Sequence, residues 1–505
     1  MKRLILATLL IVLSVSCSLN EDPVSFVTPD DFFTTIDECE AAVNGCYNPI
    51  NSIFTKDFMM AVEGTTDLMR VTSSGTQDAH LNISPATARF GVTLWKQGYI
   101  GVRNCNMCVE GIENSSIENG KKARLLAEAK ALRAFYYHLL TSLFDGVPYY
   151  KDVIRTEEDL MRIQCLPRTD ASEIRQELIE ELKLCVADLP QGRTFDLKTQ
   201  RVTAAFAHMI IAKMAMWNKD WESALSSLLA ISNWYGDLTE ERYPLGDIEF
   251  SERNTPESIF EIQHTYTPGG LDVGTTLAAY MMPRRKDLTI DGITYKDAYD
   301  GVRLDSLGTQ SNTYTSFRPN KYFYQSLMTR NGGDRRCSYV QRWDWNGQEF
   351  ETPAKTGVPW MGTKFWCWNM YSSNDANNYP VFRYADALLM LAEVYNENEE
   401  QALSCACINQ VKTRAGISLI NTTSKATILD EIQRERAREL IGEWQRKFDL
   451  VRWGIWYKQV WNNNDNSQLI DNILPCHEYY PIPDAECGLS GGNLKNEAYE
   501  KYMKK

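Results

Sequence analysis

The stretch AKMAMWNKDWESALSSLL, residues 212–229, decides the fold class of this protein. Trp217 closes one apolar run, a short polar turn follows, and an Ala-Leu pair ending in Leu225 lies seven residues further on. An aromatic residue at the end of one helix, a turn, and a small residue inside the next helix are typical of the tetratricopeptide unit. The stretch therefore predicts two antiparallel helices with Leu225 buried between them.

The same order returns much later in the chain, in LMLAEVYNENEEQALSCA, residues 389–406. Here Tyr395 takes the aromatic position, and Leu403 ends the Ala-Leu pair. Two distant copies indicate a helical superhelix interrupted by other material. We therefore predict a mainly α protein with a tetratricopeptide-like superhelix, in which Leu403 is buried as well.

The residues between the two copies have a different composition. Residues 236–379 are rich in Gly, Pro, Asn, Asp and aromatic residues, and strand-like runs such as ESIFEIQ (257–263) are short. Long irregular segments on a rigid scaffold are frequent places for binding sites. We predict a helical scaffold over 28–235 and 380–450, a loop-rich ligand-binding subdomain over 236–379 that carries short strands, and a C-terminal extension over 451–505.

The beginning of the chain is typical of an export signal. Lys2 and Arg3 precede an apolar run from residue 4 to 15, which is too short to span a bilayer comfortably. Small residues then lead to Cys17, an arrangement that resembles a bacterial lipobox with its large aliphatic residue, Leu13, one place early. We predict that residues 1–16 are removed and that a multiply acylated Cys17 anchors the protein in a membrane. The alternative is an ordinary signal peptide that happens to carry a cysteine.

Composition excludes some functions. Without Lys2 and Arg3, 51 basic residues stand against 66 acidic ones, a net charge of −15. Nucleic-acid binding depends on neutralising phosphates, so we expect no nucleic-acid partner. Twelve cysteines remain besides Cys17, and disulfides are permitted in an exported protein. The lone C-x-x-C of Cys105 and Cys108 lacks a second pair, so we expect no metal centre and no cofactor.

Tryptophans of the loop-rich subdomain 236–379, which we call the insert, are the first candidate ligand-binding residues. Five of the 13 in the chain lie in one turn-rich part: Trp343, Trp345, Trp360, Trp366 and Trp368. Asp344, Asn346 and Asn369 are interleaved with them. A flat aromatic ring can cover the C–H face of a sugar, while nearby polar side chains bind its hydroxyls. The alternative is structural: Trp343 with Trp345, and Trp366 with Trp368, would share a face of a strand and cover the helical core.

A charged stretch near the second copy invites a catalytic interpretation. RERARELIGEWQRKFDLVRW, residues 434–453, contains Glu435, Arg436, Arg438 and Glu439. Helical spacing instead predicts a buried face of Ala437, Leu440, Ile441, Trp444 and Phe448. The charges would then pair with one another on a solvated helix face. We interpret them as structural.

Six ordered motifs resemble the SusD/RagB family. They are YPVFRYADALLMLAEVYNE (379–397), ALSCACINQVKTRAG (402–416), ILDEIQRERARELIGEWQRKFDLVRWG (428–454), YYPIPDAE (479–486), TPDDFFTTIDECEAAVNGCYNPI (28–50) and AKALRAFYYHLLTSLFDGVPYY (129–150). The end of the chain departs from the pattern, since NLKNEAYEKY (493–502) replaces a fuller Asn-Pro-rich motif.

The resemblance implies a fold and a role. Members of that family are lipid-anchored outer-membrane proteins with tetratricopeptide-like helix pairs, and they face the cell exterior. They hold a glycan beside a SusC-like TonB-dependent transporter. Glu21 and Asp22, after Cys17, look like the acidic signal that directs such proteins to the outer leaflet.

The resemblance also implies a second candidate region. Family members use polar residues in a loop that matches EGTTDLMRVTSSGTQD (63–78), and a Trp near the start of the next helix. The matching positions are Asp67, Arg70 and Trp95. The alternative is that Trp95 packs inside its helix pair.

Three functions remain open. The first is a non-catalytic, surface-exposed glycan-binding lipoprotein that serves a transporter. The second is capture of peptides or glycopeptides by the same fold. The third is an all-helical glycoside hydrolase, which would need two carboxylates about 5 to 10 Å apart across a cleft. We expect no enzyme activity.

Overall fold

The computed structural model describes residues 32–72, 77–265, 274–284, 288–290, 292–295, 298–299, 302–303, 312–345, 347–350, 357–368, 370 and 372–503. The export signal and Cys17 predicted above lie outside these residues. Helices dominate, with 57% helix against 7% strand, which confirms the mainly α prediction.

Ten helices occupy the described residues before the insert. They are α1 (Ile36–Gly45), α2 (Asn48–Ile53), α3 (Lys56–Val62), α4 (Arg89–Asn114), α5 (Asn119–Phe144), α6 (Glu157–Gln164), α7 (Ala171–Cys185), α8 (Thr194–Leu197), α9 (Ala204–Asn218) and α10 (Trp221–Tyr235). The pairs α4/α5 and α9/α10 pack along their lengths, as the tetratricopeptide pattern predicts.

The turn between α9 and α10 shows how the sequence sets these pairs. Lys219 adopts a left-handed conformation with φ 58°, which ends α9. The Asp220 side chain then accepts a hydrogen bond from the Ser223 amide and caps α10. A short polar turn is therefore enough to reverse the chain.

Strands are short and occur as antiparallel pairs. They are β1 (Met69–Val71), β2 (Ser258–Ile262), β3 (Leu288–Ile290), β4 (Ile293–Tyr295), β5 (Ala298–Tyr299), β6 (Val302–Arg303), β7 (Phe317–Pro319), β8 (Gln341–Arg342), β9 (Asp344–Trp345), β10 (Gln348–Glu349), β11 (Trp360–Met361) and β12 (Tyr379–Arg383). The pairings are β1 with β7, β2 with β12, β3 with β4, β5 with β6, β8 with β11 and β9 with β10.

The remaining helices belong to the insert and to the second half of the chain. They are α11 (Leu277–Met281), α12 (Cys337–Val340), α13 (Tyr384–Glu397), α14 (Gln401–Ala415), α15 (Lys425–Glu439), α16 (Arg446–Arg452), α17 (Trp456–Asn463), α18 (Ser467–Asn472), α19 (Asp484–Leu489) and α20 (Glu497–Met503). None of the helices in the described part of the chain is long and apolar enough to cross a lipid bilayer.

The two ends of the insert meet inside the scaffold. Every residue of β2 is buried, and this strand pairs with β12, which leads directly into α13. Phe260 of β2 and Phe382 of β12 both contact Phe206 of α9. This two-stranded ribbon therefore ties the predicted insert to the helical core at β2 and at β12.

The helix pairs correct one burial prediction. Ala224 is fully buried and Leu225 is half-buried in α10, but Leu403 of α14 is 46% exposed. The buried face of α14 is instead formed by Ser404, Cys405, Cys407, Ile408 and Val411. The Ala-Leu pair predicts that a helix forms here, but it does not predict which face of the helix is buried. That face depends on the segments that pack against the helix.

The charged stretch at the end of α15 is also corrected. Its predicted apolar face is buried as expected, but Glu435 and Glu439 are 0% exposed and do not lie on a solvated face. Arg336 of the insert contacts both carboxylates, at 2.7 and 2.8 Å. Arg383 and Arg414 also bind Glu439, at 2.6 and 2.7 Å. Most of these partners come from distant parts of the chain, so the helix sequence alone could not reveal them.

Candidate aromatic binding site

Two of the five tryptophans form a small core inside the insert. Trp360 is 2% exposed and Trp366 is 0% exposed, and both pack with Phe350 and Met282. The Trp366 indole N–H donates to the Met361 carbonyl at 3.0 Å. The geometry of these two rings fits a structural role, within a core of the insert that is separate from the helical core.

The alternative interpretation placed each of two Trp pairs on one face of a strand. Only Trp343 and Trp345 are near a strand, and only one of them lies in it. Trp345 lies in β9, and Trp343 immediately precedes that strand. Trp366 and Trp368 follow a 3₁₀ turn (Thr363–Phe365) and do not lie in a strand. Their placement thus depends on a turn whose geometry the alternating letters do not specify.

Trp345 and Trp368 are half-buried and rest on the small core. The Trp345 ring lies 5.3 Å from the Trp366 ring and 5.2 Å from the Trp368 ring, both tilted. The Arg342 guanidinium lies 4.9 Å from the Trp345 ring centre. The buried ring therefore supports two partly open rings at fixed angles.

Trp343 is also half-buried, and its partners are polar. Its indole N–H donates to the Gly357 carbonyl at 3.0 Å, and the Arg330 guanidinium lies 5.2 Å from its ring centre. Arg330 also pairs with Asp344 and Glu349. The hydrogen bond that Arg330 donates to the Glu349 carboxylate is the main reason that the pKa of Arg330 is raised, although burial acts against it. Asn346 and Asn369, the other interleaved polar candidates, lie outside the described residues.

A tyrosine pair adjoins the same small core. Tyr280 packs against that core and lies 5.0 Å from the Tyr314 ring, which is 46% exposed. Thr315, the next residue, has φ 53°, a rare conformation for a β-branched side chain. Its hydroxyl donates to the Met282 carbonyl at 2.9 Å, which helps to hold the turn. The turn therefore presents Tyr314 at the surface.

Sequence patterns missed both tyrosines. Tyr314 stands alone in TQSNTYTSF (309–317), an aromatic residue among small polar ones. That composition is a usable signal for an exposed ring in a loop, although a weak one. We refer to Trp343, Trp345, Trp368, Tyr280 and Tyr314 together as the aromatic surface.

A polar cleft on the scaffold continues from the tyrosine pair. The Lys56 ammonium, at the start of α3, lies 5.1 Å from the Tyr280 ring centre. Lys56 also lines a cleft of about 240 Å³ together with Asp57, Gln77, Arg89 and Thr93. Charged, amide and hydroxyl groups thus stand next to the aromatic rings, the combination that a sugar needs.

A buried carboxyl holds the segment that carries Tyr280. Asp375 and Thr275 exchange backbone hydrogen bonds of 2.9 Å. The Asp375 carboxyl also accepts hydrogen bonds from the backbone amides of Ala278 and Asn377. Burial raises the pKa of Asp375 to about 7. The segment before α11 is therefore fixed by a group that changes its charge near neutral pH.

The second candidate region lies in the scaffold interior. Asp67 is 0% exposed, and Arg446 binds it through two nitrogens at 2.9 and 2.7 Å. Arg70 forms an ion pair with Asp465 at 3.0 Å. Trp95 is 5% exposed and contacts the rings of Tyr99 and Phe144. The geometry of Asp67 and Trp95 thus fits a structural role, and Arg70 is the most accessible of the three predicted residues.

The described residues offer no obvious place for a metal. They contain no group of three or more His, Cys, Asp or Glu side chains arranged to hold one. Cys105 and Cys108 are buried on α4, and the Cys108 sulfur lies 3.3 Å from the Cys46 sulfur. All twelve cysteines after Cys17 are free thiols.

These features define a class of protein: a tetratricopeptide-like scaffold that presents partly exposed aromatic rings on a loop-rich insert. Two family models match the chain, and together they cover more than half of it. The model described as "SusD family" matches residues 323–499, and the model described as "Starch-binding associating with outer membrane" matches residues 29–216. The chain belongs to the SusD/RagB family.

Relatives match over nearly the whole length. SusD-like protein P25 of Formosa agariphila is 24% identical over 542 residues, which cover 98% of this chain and 98% of that protein. Surface glycan-binding protein A from Bacteroides uniformis has a similar structure, with a TM-score of 0.71 and 22% identity over 92% of this chain and all of that one.

A second similar structure contains a ligand. It is surface glycan-binding protein A from Bacteroides thetaiotaomicron in complex with laminarihexaose. Its TM-score is 0.70 at 20% identity, and the match covers 91% of this chain and 98% of that one. At this identity the likeness establishes the shared fold.

Proposed function

We propose that this protein binds neutral glycans on its aromatic surface. The observation that carries the proposal is the group of partly exposed rings fixed around one small core. Trp345 and Trp368 rest on buried Trp366, and Tyr280 packs against the same cluster. Fixed rings lose little entropy when a sugar stacks on them, so the surface is preorganised. Family membership and the glycan-binding proteins of the same fold support this ligand class.

We further propose that the mature protein is held by lipid at Cys17 on the outside of the outer membrane. There it would pass captured glycan to a SusC-like TonB-dependent transporter. The export signal, the lipobox-like cysteine and the family described as associating with the outer membrane support this role. Co-purification of the native protein with such a transporter from detergent-solubilised outer membranes tests it.

A glycan array identifies the ligand, and a peptide library run in parallel tests the second candidate function. Binding to peptides with no glycan bound would replace the proposal with peptide capture. Release of reducing ends by the purified protein would instead support the hydrolase.

Substitutions then test the site. We expect Trp345→Ala or Trp368→Ala to weaken glycan binding by about 2 kcal/mol or more, because each removes a stacking ring. Their melting temperatures should stay close to that of the wild type. Trp366→Ala is the matched control: it removes a fully buried ring, so it should lower the melting temperature clearly.

Calorimetry and thermal melting of the same samples separate the two effects. If Trp343→Ala, Trp345→Ala, Trp368→Ala and Tyr314→Ala all bind the glycan normally, the aromatic surface is not the site.

A further inference from the structure

Two adjoining hollows lie on the scaffold, outside the aromatic surface. Their volumes are about 240 and 230 Å³, and Gln200 borders both. The first is lined by α1, α2 and the end of β2, and the second by α8 and the turn before β2. Neither shares a lining residue with the cleft beside Tyr280. We call the two hollows together the amide groove.

Four residues with side-chain amides, three of them exposed and one half-buried, line the first hollow. They are Asn44, Asn48, Asn51 and Gln200. Within the described part of the chain, none of these amides forms a hydrogen bond to another group. Each amide can donate and accept hydrogen bonds, which matches a hydroxyl group, since a hydroxyl also does both.

The floor of the groove is fixed by hydrogen bonds. The Asn254 and Gln263 side chains exchange two hydrogen bonds, of 3.1 and 2.9 Å. The Asn378 amide donates to the Glu261 carboxylate at 2.8 Å. A floor that is already ordered adds little entropic cost to binding.

The arginine of the first hollow is already paired with carboxylates. Arg201 pairs with Glu40 and with the buried Glu128, whose two oxygens accept from it at 2.8 and 3.0 Å. The Tyr47 hydroxyl donates to the same Glu128 carboxylate. Because the Arg201 guanidinium is already paired and Glu261 adds a carboxylate to the lining, the first hollow offers hydrogen bonds but no free cation to an anion.

Apolar groups complete the site. Phe260 and Ile50 are buried beneath the first hollow, and Phe195 borders the second with 46% of its surface exposed. An exposed ring beside amides can cover the C–H face of a sugar. A peptide added to the edge of β2 is less suitable: the carbonyls of Ser258 and Ile259 already accept hydrogen bonds from Tyr235 and Thr194.

We propose that the amide groove is a second binding site for neutral oligosaccharides, separate from the aromatic surface. The ligand class rests on the proposed function, while the location rests on the geometry of the groove alone. Two sites on one scaffold would hold a long glycan at two points and slow its release.

Side-chain amide signals in an NMR titration test the proposal directly. The probes are laminarihexaose, maltohexaose, xylohexaose and mannohexaose, with penta-alanine as the peptide probe. We expect at least one hexasaccharide to shift the side-chain signals of Asn44, Asn48, Asn51 and Gln200 to a plateau. The same shift should remain in the double variant Trp345→Ala/Trp368→Ala.

A variant of the amide groove provides the second part of this test. Asn48→Ala/Gln200→Ala removes two of the free amides and should weaken the groove's affinity at least about tenfold. Asn114→Ala, an exposed asparagine at the end of α4, is the matched control and should bind as the wild type does.

The outcomes are distinct. The proposal is wrong if no hexasaccharide moves the four signals, if the shifts grow linearly without saturation, or if only penta-alanine moves them. It is also wrong if the groove variant binds normally. Loss of binding in the groove variant, with normal binding in the aromatic variants, would support the groove and remove the aromatic surface from the proposed function.

Discussion

Among single residues, Glu439 pairs with three arginines in the described core. Its carboxylate is fully buried and binds Arg336, Arg383 and Arg414, at 2.6 to 2.8 Å. Although burial acts against it, the three guanidinium groups hold the pKa of Glu439 well below its ordinary value. These contacts join the end of α15 to the insert, to β12 and to α14.

We expect Glu439→Ala to destabilise the protein by about 3–5 kcal/mol, because it leaves three buried cations with fewer partners. Glu397→Ala is the matched control: Glu397 pairs with Lys425, which is 46% exposed, and such pairs contribute about 1 kcal/mol or less. Thermal melting of both variants measures the difference. Equal melting temperatures would show that the network contributes nothing to stability.

The raised pKa of Asp375, a residue beneath the aromatic surface, predicts that the stability of the protein depends on pH. Its pKa is about 7 in the folded protein, and its ordinary value is 3.8. Between these values the folded protein holds a proton that the unfolded chain has released. The stability from this group is therefore fully present below about pH 3.8, and it is lost as pH rises through about 7.

We expect the wild type to lose stability relative to Asp375→Asn as pH rises from about 5 to 8, because the asparagine cannot ionise. The loss over this range is about 3 kcal/mol at most, since about two pH units lie between pH 5 and the folded pKa of about 7, and each corresponds to about 1.4 kcal/mol. Melting temperatures of both proteins across this range measure it. A constant difference between them would contradict the raised pKa.

Among elements, the pair α13/α14 shows what a sequence pattern leaves open. Tyr395 lies near the end of α13, next to the turn, as predicted. Leu403, however, has 46% of its surface exposed to solvent. Ile408, five residues later, is fully buried. The pair forms as expected, but α14 is rotated relative to the simple pattern.

We therefore expect Leu403→Asp to change stability by about 0.5 kcal/mol or less, as surface substitutions usually do. Ile408→Asp places an unpaired charge in the core and should cost about 3 kcal/mol or more. Melting temperatures distinguish the two variants of the same helix. A large effect of Leu403→Asp would show that this face of α14 is covered in solution.

For the whole molecule, the anchor decides where capture takes place. We expect Cys17→Ala to leave the protein unanchored or as an uncleaved precursor, because acylation needs the cysteine sulfur. Protease added outside intact cells should digest the wild type and leave the variant intact. Fatty-acid labelling and surface exposure of Cys17→Ala would disprove the lipid anchor. Cys165→Ala, at an exposed cysteine, controls for loss of a thiol.

The sequence by itself determined the helical class, the paired helices and the family. These features depend on local patterns: the Trp217-to-Leu225 unit, its polar turn at Lys219 and Asp220, and six motifs in order. Local patterns can be recognised in the sequence because each helix and turn is determined by residues a few positions apart.

Only the tertiary structure decided which aromatic rings are open and which charges are buried. Trp366 and Trp368 are two residues apart, yet one is 0% exposed and the other is half-buried. Glu439 is matched by arginines up to 103 residues away. Burial is a property of contacts between distant segments, so neither the aromatic surface nor the amide groove could be located from spacing along the chain.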